Sequence, residues 1–216
     1  MTEASARALV GLRDFSTLQW YVIPILAIVF YIYTGEIKKA RAGGDWKALI
    51  AGAAVFGADL FNESWNGWIL VLTGRSALWT APGPSALRTM VGLNIEIMFM
   101  FSLLGIVWYN SLSGKAGTRI LGLSEGWFFG IAYSLVSVVV EVALNAGGLL
   151  VWEYPFWNRS PLALVPIFFV GYLWFFAWAI LATSRKSTRS AWLVVALPYG
   201  LAALLALLAL SFGLRY

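Results

Sequence analysis

Asp59, Asn62, Glu63 and Asn66 follow one another at offsets of three, four and seven residues, the spacing that stacks side chains along one face of a helix. Two carboxyls and two amides on one face can move protons or hold a cation. Glu96, near Asn94, and Glu141, four residues before Asn145, bring the same side-chain types into two further apolar stretches. An acid in such a stretch is costly unless it has a use or a partner. The usual partners are missing: the chain has no His, and its Lys and Arg residues fall in loops or at segment ends. Two carboxyls close together in a low dielectric cannot both ionise, so one keeps its proton while amides hold the other as a carboxylate. That combination supplies a general acid and a general base. The candidate catalytic residues are therefore Glu63, Glu141, Asp59 and Glu96. Asn62, Asn66, Asn94 and Asn145 are candidate substrate-binding amides, and Phe61, Trp65, Trp68 and Trp152, with Phe99 nearby, offer π faces to a cationic intermediate.

The composition limits what else these residues could do. Of 216 residues, 61% are hydrophobic and 12% charged. A soluble domain could not hide so much apolar surface, so the chain reads as one integral membrane domain covering residues 1–216. With no Cys and no His, disulfides, thiolate nucleophiles, His-ligated haem and zinc, and Ser-His-Asp triads are excluded. No metal site and no cofactor are expected, and any cation would need oxygen ligands alone. The net charge of +5 is spread over short loops, which points to lipid headgroups and topology rather than nucleic acid.

Six apolar stretches approach the roughly 20 helical residues that span a bilayer core. They fall near residues 18–34, 48–72, 91–109, 126–151, 161–182 and 191–214. The expected fold is an all-α, polytopic membrane helical bundle of about six transmembrane helices, with seven possible. Residues 1–16 read as a weakly amphipathic lead-in with no signal-peptide pattern. Lys38, Lys39, Arg41, Lys47, Lys115, Arg119, Arg185, Lys186 and Arg189 fall on one side of such a bundle. Arg7, Arg13, Arg75, Arg88, Arg159 and Arg215 fall on the other. Nine against six makes the first side cytoplasmic, in a plasma or endoplasmic reticulum membrane, with both termini outside. On that outer side, residues 73–89 and 152–161 are rich in aromatics and proline. They suit an interfacial girdle or a lid over a cavity. At matched depth with Glu96, the carboxyls of Asp59, Glu63 and Glu141 would line one cavity open towards the outer side or the outer leaflet.

The run Phe61-Asn62-Glu63-Ser64-Trp65 resembles the Asn–Trp–Glu neighbourhood in the second helix of the small integral-membrane terpene cyclases of fungal meroterpenoid and indole-diterpene pathways. In that family the order of Trp and Glu differs, and seven helices are drawn where six are counted here. The resemblance implies Glu63 as the acid that protonates an epoxide or olefin. Together with the acid and amide pattern it leads to an expected function: a cofactor-independent membrane enzyme, of cyclase, isomerase or hydratase type, acting on an apolar isoprenoid-like or lipid molecule. Two other classes compete. A proton- or cation-coupled transporter or channel would use the same acids, but no paired broken helices or polar path through the cytoplasmic half are visible. A non-catalytic subunit of a membrane complex would turn its polar stripes towards another chain.

Overall fold

The structure is a computed structural model and describes residues 1–115 and 117–216. It is mostly helical: α1 (Glu3–Leu9), α2 (Val22–Gly43), α3 (Lys47–Thr73), α4 (Ile95–Asn110), α5 (Glu125–Ala146), α6 (Pro161–Pro166), α7 (Trp174–Thr183) and α8 (Thr188–Ser211). A π-helical turn, Ile167–Leu173, joins α6 to α7 into one continuous rod. Two short ladders complete it, β1 (Trp79–Thr80) with β4 (Val151–Trp152) and β2 (Arg119–Ile120) with β3 (Leu123–Ser124), both antiparallel. Three helical runs, Glu125–Ala146, Pro161–Thr183 and Thr188–Ser211, are long and apolar enough to cross a membrane. The result is a helical membrane protein.

α3 is the central post, packed against α4, α7 and α8. Its sequence explains this position. Ala48, Ala51, Gly52, Ala54, Gly57 and Ala58 give it a nearly smooth surface, and small residues are what let helices approach closely in lipid, where no hydrophobic force drives them together. A methyl group on Gly105 of α4 would overlap the Ala51 carbonyl, and one on Gly57 would overlap the Tyr199 ring of α8. Gly74, at φ 60°, ends α3 by returning its N–H to the Leu70 carbonyl. On the outer helices, Leu193, Leu197, Leu204 and Leu207 of α8 and Val136 and Val139 of α5 are exposed, as lipid-facing positions should be.

Several expected boundaries shift. α2 runs well beyond residue 34, so Lys38, Lys39 and Arg41 ride on its last turns instead of in a loop, and Lys47 opens α3. A helix longer than the hydrocarbon core carries its basic end into the headgroup region. Residues 91–94 belong to the connection before α4, because Asn94 caps that helix. α5 stops at Ala146, ahead of a Gly147-Gly148 turn, so residues 147–151 lie outside it. The lead-in folds into α1, whose Ala4, Ser5 and Ala8 are buried.

The two aromatic loops meet at one end of the bundle. Trp79 pairs with Trp152 and Thr80 with Val151. α1 lies on this ladder: Thr2 N–H reaches the Arg75 carbonyl at 2.8 Å, Thr2 Oγ1 donates to Glu153 at 2.6 Å, and the hydroxyls of Ser5 and Thr80 are 3.5 Å apart. Arg88 pins the assembly. Its guanidinium donates to the carbonyls of Ala81, Gly83, Arg7, Ala8 and Val10 at 2.7–3.3 Å. These segments form a cap over the ends of α3, α4 and α5.

Candidate functional site

Under the cap lies a narrow cavity of about 60 Å³. Asp59, Asn62 and Glu63 of α3 and Glu141 of α5 line it, with Tyr172 from the π-helical turn and Trp79 and Trp157 from the cap. The other walls are apolar, among them Ile97, Met100 and Phe101 of α4 and Leu144 of α5. No Lys or Arg belongs to the lining.

Each acid is held differently. Glu63, 4% exposed, accepts a hydrogen bond on Oε1 from Trp79 Nε1 at 2.8 Å, while its buried Oε2 has no protein partner. Gly92 lets the cap come this close, since any side chain there would meet Glu63 Oε2 and the Trp79 ring. Asp59, 3% exposed, leaves Oδ2 buried and unpartnered. Glu141 accepts from Trp152 Nε1 at 3.2 Å and lies beside the Tyr172 hydroxyl. Trp157 stacks on Trp79 with centroids 5.6 Å apart, and its indole N–H is also buried without a partner. Buried polar groups are nearly always paired, so three unpaired ones in a single lining mark a place prepared for something else. The acid Glu36, on α2, is the contrast: it is buried too, but Lys39 and Asn110 donate to it at 2.8 and 3.1 Å.

The π-helical turn follows from Pro166, which has no N–H to donate within the rod. The wider turn that follows presents the Val170 carbonyl sideways, and Asn62 Nδ2 takes it at 3.0 Å. Such turns often sit at functional sites. Here the turn places Tyr172 in the lining, beside Glu141.

The other expected site residues serve the frame. Glu96 does not join the cavity. It sits in the first turn of α4, where a carboxylate is favoured, and accepts from the Tyr21 hydroxyl at 2.6 Å, the Ala86 N–H at 2.9 Å and the Ser85 hydroxyl at 2.8 Å. The hydrogen bond to Glu96 pushes the Tyr21 pKa up. Asn66, fully buried, holds β1 by accepting from the Leu78 and Trp79 N–H groups and donating to the Trp79 carbonyl. Asn94 caps α4 through the Ile97 N–H. Asn145 donates to the Leu150 carbonyl and fixes the turn after α5. Trp65 donates to Asn62 and meets Trp79 edge-on, outside the cavity. Trp68 donates to the Leu205 carbonyl on α8, and Phe61 packs on Trp174. Of the four aromatics expected at the site, only Trp152 touches one of its acids. Tyr172, Trp79 and Trp157 were not anticipated. For Trp79 and Trp157 the one advance sign was the aromatic, proline-rich character of their loops.

A sequence profile for an uncharacterized membrane protein family matches residues 2–211. The chain is also 43% identical over 176 residues, 81% of its own length and 80% of the relative's, to an uncharacterized protein of Archaeoglobus fulgidus. No solved structure matches. These findings overturn the resemblance to the fungal terpene cyclases, since the profile and the relative lead to a different family. The geometry agrees: the Asn62–Trp65 pair that carried the resemblance is a hydrogen bond closed within one turn of α3, with Trp65 outside the cavity.

Proposed function

The chain belongs to this uncharacterized membrane protein family, and from that premise we propose that it is a multi-pass intramembrane acid/base enzyme acting on an apolar, unsaturated lipid-like molecule. One observation carries the reading: Asp59, Glu63 and Glu141 face a single capped cavity with no basic residue in its lining. Three carboxyls in such a setting cannot all be ionised, so proton donor and proton acceptor coexist there. In the proposed step Glu63 gives its proton to an alkene carbon. The developing cation lies against the faces of Trp79 and Trp157. A neighbouring carboxylate, Glu141 or Asp59, then removes a proton from the adjacent carbon and leaves a shifted double bond, or water adds and the same carboxylate takes its proton.

A conduit is less well supported. From the cavity wall inwards, Phe101, Phe175, Phe176 and Trp108 pack with the alanines of α3 in one apolar cluster, and no polar path through it is seen among the described residues. Purified chain reconstituted with a total lipid extract in deuterated water tests the proposal. Mass spectrometry should find a lipid that gains deuterium at carbon with the wild type and not with Glu63→Gln, a variant that keeps the acceptor for Trp79. Equal incorporation by both proteins, or by neither, overturns it.

A further inference from the structure

The cavity touches a cleft between α4 and α5 that is tied at one end only. Away from the cap, Trp108 Nε1 donates to the Gly126 carbonyl at 3.2 Å, the hydroxyls of Ser111 and Tyr133 are 2.8 Å apart, and Ser113 bonds Glu125 through its N–H and its hydroxyl. Towards the cap, no hydrogen bond joins the two helices among the described residues. There Ile97 and Met100 on α4 and Glu141 and Leu144 on α5 border the cavity. Met100 is 47% exposed on the outside of the bundle while lining the cavity on the inside. This flexible, unbranched side chain thus belongs both to the cavity wall and to the exposed face of α4. The aqueous side is closed far more firmly by the Trp79–Trp157 stack, the β1–β4 ladder and the five carbonyls gathered by Arg88.

We infer that the ligand enters sideways from the bilayer, through the cleft between α4 and α5 and past Met100, and that it is a neutral long-chain amphiphile bearing a hydrogen-bond donor such as a hydroxyl. The lining selects this class. An anionic head would meet three carboxyls and no cation, leaving buried charge unpaired. A donor group would satisfy Asp59 Oδ2 or Glu63 Oε2, which are buried and without a protein donor. The apolar wall of Ile97, Met100, Phe101 and Leu144 takes the chain. The inference deepens the acid/base reading and rests on it for what happens inside, while the route depends on the cleft alone.

The absence of cysteine makes the test direct, because a single introduced thiol is the sole target. Gly171 lines the cavity, and an added Cβ there would meet only Ile167 Cγ2, at an ordinary 3.6 Å. Gly171→Cys in liposomes is treated with dodecyl maleimide, which partitions into lipid, or with a sulfonated maleimide, which stays in water. Dodecyl maleimide should react and the sulfonated reagent should not. Adding Met100→Trp should slow the reaction about tenfold or more, and dodecanol should protect the thiol where dodecyl phosphate does not. Ile97→Cys, at the mouth of the cleft, gives a second site read in the same way. Equal reaction with the sulfonated reagent, no effect of Met100→Trp, no reaction with dodecyl maleimide at either position, or equal protection by the phosphate overturns the inference. Labelling does not depend on turnover, so its failure is separable from failure of the deuterium experiment.

Discussion

At Glu63 one carboxyl oxygen is held by Trp79 Nε1 and the other has no protein donor, whereas at Glu96 three donors occupy both oxygens. The same side chain is a reactive group in one place and a latch in the other. Glu96→Ala should therefore lower the thermal midpoint, costing about 2 kcal/mol, while sparing lipid conversion. Glu63→Gln should do the reverse, and melting curves beside the deuterium assay read both effects. Asn66→Ala should be among the most damaging polar substitutions. It leaves the buried Leu78 N–H and Trp79 carbonyl unpaired, a loss of about 2 kcal/mol or more in the same melts. The acid types of the site were legible in the sequence because apolar surroundings make them conspicuous. Their sorting was not, because the donors that claim Glu96 lie 75, 11 and 10 residues away in the chain, and no periodicity connects them. Tyr172 escaped notice for a related reason: in the run Phe168-Phe169-Val170-Gly171-Tyr172, one more aromatic residue is unremarkable.

At the scale of elements, the apolar stretches located the helices well, since a bilayer leaves the backbone few alternatives. The ends moved where polar contacts beyond the stretch decide them, as with the basic last turns of α2 and the Asn94 cap of α4. The π-helical turn has no sequence periodicity of its own, and Pro166 read only as a residue within a span. The helix contacts themselves are open to test through glycine. Gly105→Ala would press a methyl group on the Ala51 backbone, which cannot yield, so α3 and α4 should separate at a cost of about 1–3 kcal/mol. Gly200→Ala, in α8 with open space around it, should instead be neutral or stabilise by up to about 1 kcal/mol. Thermal melts of the two variants in detergent should therefore move in opposite directions or, at the least, by very different amounts.

For the whole molecule, the cap gathers α1, residues 73–89 and residues 152–161 at one end, and the β2–β3 hairpin with its Arg119, close after Lys115, lies at the other. If the basic end is cytoplasmic, as the charge distribution supports, single cysteines at Arg75 and Arg159 should react with an impermeant maleimide on intact cells. Cysteines at Lys115 and Lys186 should react only after permeabilisation. The reverse pattern would turn the cavity towards the inner leaflet without altering its chemistry. The contact between Thr2 and Glu153 spans 151 residues, and the Trp79–Trp152 pair spans nearly half that distance. During synthesis α3, with Asp59 and Glu63, is therefore made long before the second half of their enclosure has left the ribosome. The first residues made must wait, unattached, for some of the later ones. A nascent chain halted before residue 150 would hold α1 to α5 but lack β4, Trp157 and Tyr172, so the acids acquire their full surroundings only once the second half of the chain is in place.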